Sequence, residues 1–216
     1  EIEKSLKNKV VCKSIRTTGV PESILQEKIT DIIDANKEKC DIAFLPHRML
    51  GVDIRLTSSD NQLVEDLINS IVPRIKKYVY GYDNDKLEQV IANLLIKNNL
   101  TVSTAESCTS GLLASRLTDV PGSSQYFKGG SVCYSNELKI NDIGVDKDLI
   151  ERYGAVSEEV AESLAKNIAK KNNTDIGIGI TGIAGPDGGT EKKPVGLVFV
   201  GIFYKNNLYI KRYNLT

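Results

Sequence analysis

The stretch SEEVAESLAKNIAKKNNTDIGIGITGIAG, Ser157 to Gly185, decides the fold. Ser157 with Glu159 or its neighbours reads as a capping box, and the residues that follow to Asn172 read as a helix. TDIGIGITGIAG, from Thr174, then reads as a glycine-rich buried strand that leaves into a glycine loop. A helix feeding directly into a buried strand is the repeating unit of a layered α/β domain.

The segments on either side continue the pattern. Downstream, PVGLVFVGIFY (194–204) and NLYIKRYNL (207–215) read as a hairpin turning at Lys205-Asn206-Asn207. Upstream, KLEQVIANLLIKNN (86–99) is an amphipathic helix and TVSTAES (101–107) a short strand running into a loop. CTSGLLASRLTDV (108–120) reads as a small-residue helix stopped by Pro121-Gly122. YFKGGSVCYS (126–135) is a strand with a glycine pair, and a short helix follows at NELKINDI (136–143).

Nearer the start, NKVVCKSIRTTGV (8–20) is a strand ending at Gly19. PESILQEKITDIID (21–34) is a helix with Ile24, Ile29, Ile32 and Ile33 close to one face. DIAFLP and VDIRLTSS are two strands joined across HRMLG. Asp60 is placed to cap the next helix, whose stripe is Leu63, Leu67, Ile68, Ile71 and Ile75 and which Pro73 should kink or shorten. Gly81 and the polar residues after it mark a linker at 81–86. The fold class is therefore α/β: a smaller α+β domain over 1–80, then a layered α/β domain over 87–216.

The composition is that of a globular chain, and its formal net charge of zero provides no global field for nucleic acid or an anionic membrane. Cys12, Cys40, Cys108 and Cys133 form no CxxC pair, and with His47 the single histidine there is no zinc set. Reduced thiols in a cytoplasmic protein are the simplest expectation. No apolar run is long enough to span a bilayer and no signal peptide opens the chain.

Three stretches offer chemistry. PGSSQYFKGGSVCYSNELK (121–139) gathers serines, tyrosines and lysines without a histidine. In it Ser124 is the candidate nucleophile, with Lys139 as a base kept neutral by burial and Tyr134 as a proton relay. The competing reading is a solvated polar loop. Tyr134 and Lys139 lie five apart, which separates them on a helix, so the tyrosine is expected to end a strand and the lysine to lie on the turn after it. TAESCTSG (104–111) offers hydroxyls from Ser107 and Thr109 at a helix start, Glu106 to orient a substrate hydroxyl, and Cys108 as a rival low-pKa nucleophile. TGIAGPDGG (181–189) lets backbone approach a ligand at Thr181, Gly182 and Gly185, or is simply a tight turn. It matches neither the P-loop nor the dinucleotide fingerprint. His47, between two strands, is assigned no chemistry.

The three stretches in this order, with GAVSEEVAESLA between the last two, resemble the C-terminal domain of the CinA family, the nicotinamide-nucleotide amidohydrolase or NMN deamidase. The resemblance covers roughly Leu87 to Thr216. Residues up to about Tyr80 more loosely resemble that family's KH-like middle domain. The resemblance implies hydrolysis of the carboxamide of nicotinamide mononucleotide to nicotinate mononucleotide and ammonia. It implies Ser124 as nucleophile and Tyr134 with Lys139 as the proton-handling pair. Glu106, Ser107, Thr109, Thr181, Gly182 and Gly185 would line the substrate site. It implies no metal or other cofactor, and a homodimer. The alternative is a catalytically silent nucleotide-binding or scaffolding module. RNA binding is not expected, because Gly19 and Gly51 are the only glycines before Tyr80 and form no G-x-x-G loop. Where the family carries Gly-Gly after the threonine of AESCT, this chain has Ser110-Gly111. The resemblance also implies an additional N-terminal domain and a basic segment past Thr216, so the chain is expected to be a fragment.

Overall fold

In the computed structural model, residues 10–47 and 50–215 are described. Asn8 and Lys9 of the first expected strand, Arg48 and Met49 of the HRMLG connection, and Thr216 lie outside them. The chain divides into two compact units, 1–90 and 91–216.

The first unit runs β1 (Val11–Thr17), α1 (Glu22–Asn36), β2 (Asp41–His47), β3 (Gly51–Ser58), α2 (Asn61–Ile75) and β4 (Val79–Tyr82). Its sheet is antiparallel in the order β2-β3-β1-β4. Ile15, Ile54 and Leu56 face the buried residues Leu25, Ile29, Ile32, Val64, Leu67 and Ile71 of the two helices. Asp60 caps α2 as its position implies, accepting from the Leu63 N–H at 3.1 Å. Pro73 does not end that helix: α2 continues two residues further, to Ile75, and then tightens into a 3-10 turn over 76–78. Gly81 and Tyr82, at the head of the expected 81–86 linker, are strand residues, with Gly81 opposite Arg16. His47 Nε2 lies 2.6 Å from the buried Asp53, which also pairs with Arg16 at 2.9 Å.

The second sheet is mixed. α3 (Leu87–Lys97) leads into β5 (Val102–Glu106), α4 (Leu112–Thr118) and β6 (Phe127–Val132). Three helices follow, α5 (Asn136–Asn141), α6 (Lys147–Tyr153) and α7 (Glu158–Asn172), before β7 (Ile176–Gly182) and the hairpin β8 (Leu197–Tyr204) and β9 (Asn207–Asn214). The order is β6-β5-β7-β8-β9, with β6, β5 and β7 parallel and β8 and β9 antiparallel. The hairpin turns as its sequence implies: Lys205 and Asn206 both take left-handed φ, 49° and 61°, the pair a tight two-residue turn requires.

Two local readings at the ends of helices change. Ser157 caps α7 by accepting from the Val160 N–H at 3.3 Å. The third helical position is therefore a valine, and the reciprocal glutamate of a capping box is absent. CTSGLLASRLTDV is helical only over Leu112–Thr118, because Ser110 and Gly111 take φ of 49° and 91° and hold the preceding residues in a turn.

The glycines of β7 explain how α7 reaches the sheet. A Cβ on Gly179 would lie 2.5 Å from both the Ala161 carbonyl oxygen and the Ala165 nitrogen, and one on Gly177 would lie 2.0 Å from the Ala165 carbonyl oxygen. Helix backbone rests directly on strand backbone, and the buried face of α7 is built of alanines with Val160, Leu164 and Ile168. Gly179→Ala is expected to cost about 3 kcal/mol, since backbone cannot yield as a flexible side chain does. Urea unfolding measures it, and a change under 0.5 kcal/mol would contradict this packing.

Candidate active site

β5 is the point at which the order of the second sheet reverses. The chain steps from β5 to β6 on one side, then crosses back through α7 to β7 on the other. Loops leaving the carboxyl ends of such strands diverge and open a crevice between them. Ser107 directly follows β5, Tyr134 is the second residue after β6, and Thr181 and Gly182 end β7. A cavity of about 280 Å³ occupies this position, lined by Ser107, Cys108, Tyr134, Asn136, Lys139 and Thr181, with the 182–185 segment and Asp187 closing it. It lies at the small end of the range for small-molecule sites.

Lys139 is the unusual residue here. It belongs to α5, not to a turn, and its side chain is only 2 % exposed. Nζ lies 3.0 Å from Ser107 Oγ, 2.9 Å from the Cys133 carbonyl oxygen and 3.1 Å from that of Tyr134. Two of these partners can only accept, while the hydroxyl can accept or donate. An ammonium donates to all three, and a neutral amine serves the two carbonyls with N–H groups while its lone pair faces the Ser107 hydroxyl. Burial lowers the Lys139 pKa from its ordinary value, opposed by the thiols of Cys133 and Cys108.

Ser107 is itself held in place. Its N–H donates to the Ile180 carbonyl at 3.0 Å, tying the residue to β7. Glu106 does not reach the cavity. Its fully buried carboxylate accepts from the N–H groups of Gly111, Leu113 and Ala114 at 3.1, 3.0 and 2.8 Å. It anchors the 107–111 turn from beneath, which replaces the role of orienting a substrate hydroxyl.

The sequence-named residues thus separate into two groups. Ser107, Tyr134, Lys139, Thr181, Gly182 and Gly185 share the cavity, whereas Ser124, Glu106 and Thr109 are not among its lining. Ser124 is exposed, in a short 3-10 turn that precedes β6. The six residues of β6, rising about 3.3 Å each, span about 20 Å between it and Tyr134. Ser124 therefore sits at the wrong end of the strand to meet Lys139. Thr109 Oγ1 is buried and has no hydrogen-bond partner among the described residues. Cys108 lines the cavity, but burial raises its thiol pKa despite the nearby Lys139, contrary to a reactive thiolate.

Sequence reasoning missed Asn136, Ala155, Val156 and Asp187. Asn136 opens α5 three residues before Lys139, which was the available signal; Ala155 and Val156 carry no chemical mark. Among the described residues no cluster of three or more His, Cys, Asp or Glu is placed to hold a metal ion, and no helix is long and apolar enough to cross a membrane.

The left-handed φ of 49° at Ser110 is one that glycine adopts without the steric cost a serine meets there. Ser110→Gly is expected to stabilise the protein by roughly 1 kcal/mol, read as a raised denaturation midpoint at unchanged slope. A lowered midpoint would contradict it.

Comparison with known proteins follows the division into units. The family model described as the CinA C-terminal domain matches residues 84–216, and the damage-inducible protein CinA KH domain matches 12–81. A CinA-like protein of Kosmotoga olearia is 44% identical over 210 residues, 94% of this chain and 50% of that protein. A putative competence-damage inducible protein of Clostridium botulinum is 42% identical over 223 residues, 100% of this chain and 54% of its own. The chain thus spans about half the length of the curated relatives it matches. Among solved structures, the competence/damage inducible protein CihA from Agrobacterium tumefaciens has a TM-score of 0.59 at 36% identity, covering 60% of this chain and 79% of its own. The CinA superfamily protein ECK1530/EC0983 from Escherichia coli has a TM-score of 0.58 at 32% identity, covering 60% and 75%.

Proposed function

The chain belongs to the CinA family, and from that premise and the cavity geometry we propose that it hydrolyses the carboxamide of nicotinamide mononucleotide, with Ser107 rather than Ser124 as nucleophile. The observation that carries the reading is the buried Lys139 amine 3.0 Å from Ser107 Oγ, with its other contacts on carbonyls that only a donor satisfies.

A serine becomes a nucleophile when a neighbouring base takes its proton. Lys139 Nζ takes the proton of Ser107 Oγ, and Oγ bonds to the amide carbon as the carbonyl electrons move to oxygen. Collapse of that intermediate breaks the C–N bond. The proton returns from Lys139, relayed by Tyr134, to nitrogen, and ammonia leaves. Water then attacks the acyl-serine, giving its proton to Lys139, and releases the carboxylate as Ser107 recovers its own. Oxyanion donors come from the Cys108 and Thr109 N–H groups of the 107–111 turn, since those of Ser107, Ser110 and Gly111 are held by the Ile180 and Ser107 carbonyls and by Glu106.

The test is ammonia release from nicotinamide mononucleotide by the purified full-length protein, alongside binding of the nucleotide. Release of stoichiometric ammonia and nicotinate mononucleotide supports the reading. Binding without product points instead to a silent nucleotide-binding module, and neither binding nor product removes the substrate assignment.

A further inference from the structure

Two chain segments that line the cavity are joined by one lysine outside it. Ala155 and Val156 belong to the turn between α6 and α7, and residues 182–185, 187 and 188 to the end of β7 and the loop before β8. Lys193 lies further along that loop and is not part of the lining. Its ammonium donates to the carbonyl oxygens of Tyr153 and Val156 at 2.5 and 2.7 Å. A local turn presents it: the Lys193 N–H donates to Thr190 Oγ1 at 3.0 Å, and the Thr190 N–H to the Lys193 carbonyl at 2.7 Å.

The receiving turn is shaped for the contact. Gly154 has φ of 79°, and a Cβ there would lie 2.9 Å from Lys193 Nζ. The carbonyl of Gly154 accepts from Ser157 Oγ at 3.0 Å and that of Ala155 from Thr181 Oγ1 at 2.8 Å. All four carbonyls from Tyr153 to Val156 are therefore engaged by side chains, two of them by Lys193. Tyr153 ends α6, where a cation meets exposed carbonyls favourably. The base of the loop is closed by the Gly196 N–H to the Ile183 carbonyl at 2.8 Å and the Ile183 N–H to the Leu197 carbonyl at 2.9 Å. Between those points, Lys193 provides the hydrogen bonds from loop to turn among the described residues.

We infer that Lys193 is a positioning residue for substrate binding: it latches the β7–β8 loop to the α6–α7 turn and sets the width of the cavity between them. The inference rests on the reading of the cavity as the substrate site. Ser107 and Lys139 are held by β5, β7 and α5, so the latch acts on binding and leaves the chemical step to them.

The experiment compares full-length wild type, Lys193→Met and Lys193→Arg for nicotinamide mononucleotide turnover and for backbone hydrogen exchange over 184–192. In Lys193→Met, KM is expected to rise about tenfold with kcat within about threefold, the pattern of lost binding rather than lost chemistry. Exchange over the loop should accelerate, and Lys193→Arg, which can still donate to both carbonyls, should restore most of each change. An unchanged KM, or a fall in kcat alone, overturns the inference. If wild type turns over no nicotinamide mononucleotide, the substrate reading fails by itself; the latch is then judged by exchange, and unchanged exchange in Lys193→Met overturns it too.

Discussion

Ser107→Ala is expected to lower ammonia release roughly a thousandfold or more, while Ser124→Ala stays within about threefold of wild type. The prediction separates two serines that stand seventeen residues apart in one run of motifs. Only Ser107 meets the lysine, at 3.0 Å, and only Ser107 lines the cavity. Removing its hydroxyl removes the atom that bonds to the amide carbon, so no rearrangement of the remaining groups restores the pathway. The fold should tolerate the change, because the turn is held by the Ser107 N–H to the Ile180 carbonyl and by Glu106 on three amides, none of which uses the hydroxyl. Kinetics on the two variants, with circular dichroism to confirm folding, decide it. Loss of turnover in Ser124→Ala with retention in Ser107→Ala would return the nucleophile to the exposed turn before β6.

The same two serines show what the sequence makes legible and what it does not. The hydrophobic stripe of α2, the Asp60 and Ser157 caps, and the Lys205-Asn206 turn are local features, set by residues within four of one another, and each is readable as it stands. The cavity is not local. Ser107 and Lys139 are thirty-two residues apart and meet because β5 and β6 run parallel, which brings the residues after one strand beside those after the other. Proximity along the chain favoured Ser124, a near neighbour of Tyr134 in sequence and about 20 Å from it along the strand direction. In a parallel sheet the loops that open a crevice follow strands, and Ser124 precedes one. The surroundings of Glu106 are hidden in the sequence for a related reason. Its carboxylate looked available beside a site, but the left-handed φ at Ser110 and Gly111 turns three backbone N–H groups back onto it. Nothing in the residue types announces that turn except the glycine at 111.

Lys139 should behave as a base rather than as a fixed cation, and two substitutions distinguish these roles. Lys139→Arg keeps a positive charge but cannot accept a proton near neutral pH, and Lys139→Met keeps volume without either property. Both are expected to lose roughly a thousandfold in kcat, within the range general-base removal costs. An arginine variant retaining a tenth or more of the activity would show that charge alone suffices. The wild-type rate should rise with pH along a limb set by the lowered Lys139 pKa, because the reactive form is the neutral amine. Stability provides an independent readout with a definite sign. Between the lowered folded value and the ordinary lysine value of 10.5, the unfolded chain binds a proton that the folded protein does not. Within that window wild-type stability gains up to about 1.4 kcal/mol per pH unit as pH rises, and below it the penalty of burying the charge is fully present. Lys139→Met lacks this dependence. Its stability relative to wild type should therefore be most favourable at low pH and decline steadily as pH is raised toward 10.5, which urea unfolding of the pair across pH will measure. A difference that does not change with pH would mean that the lysine keeps its ordinary pKa on folding, and the Ser107 hydroxyl would then face an ammonium that cannot take its proton.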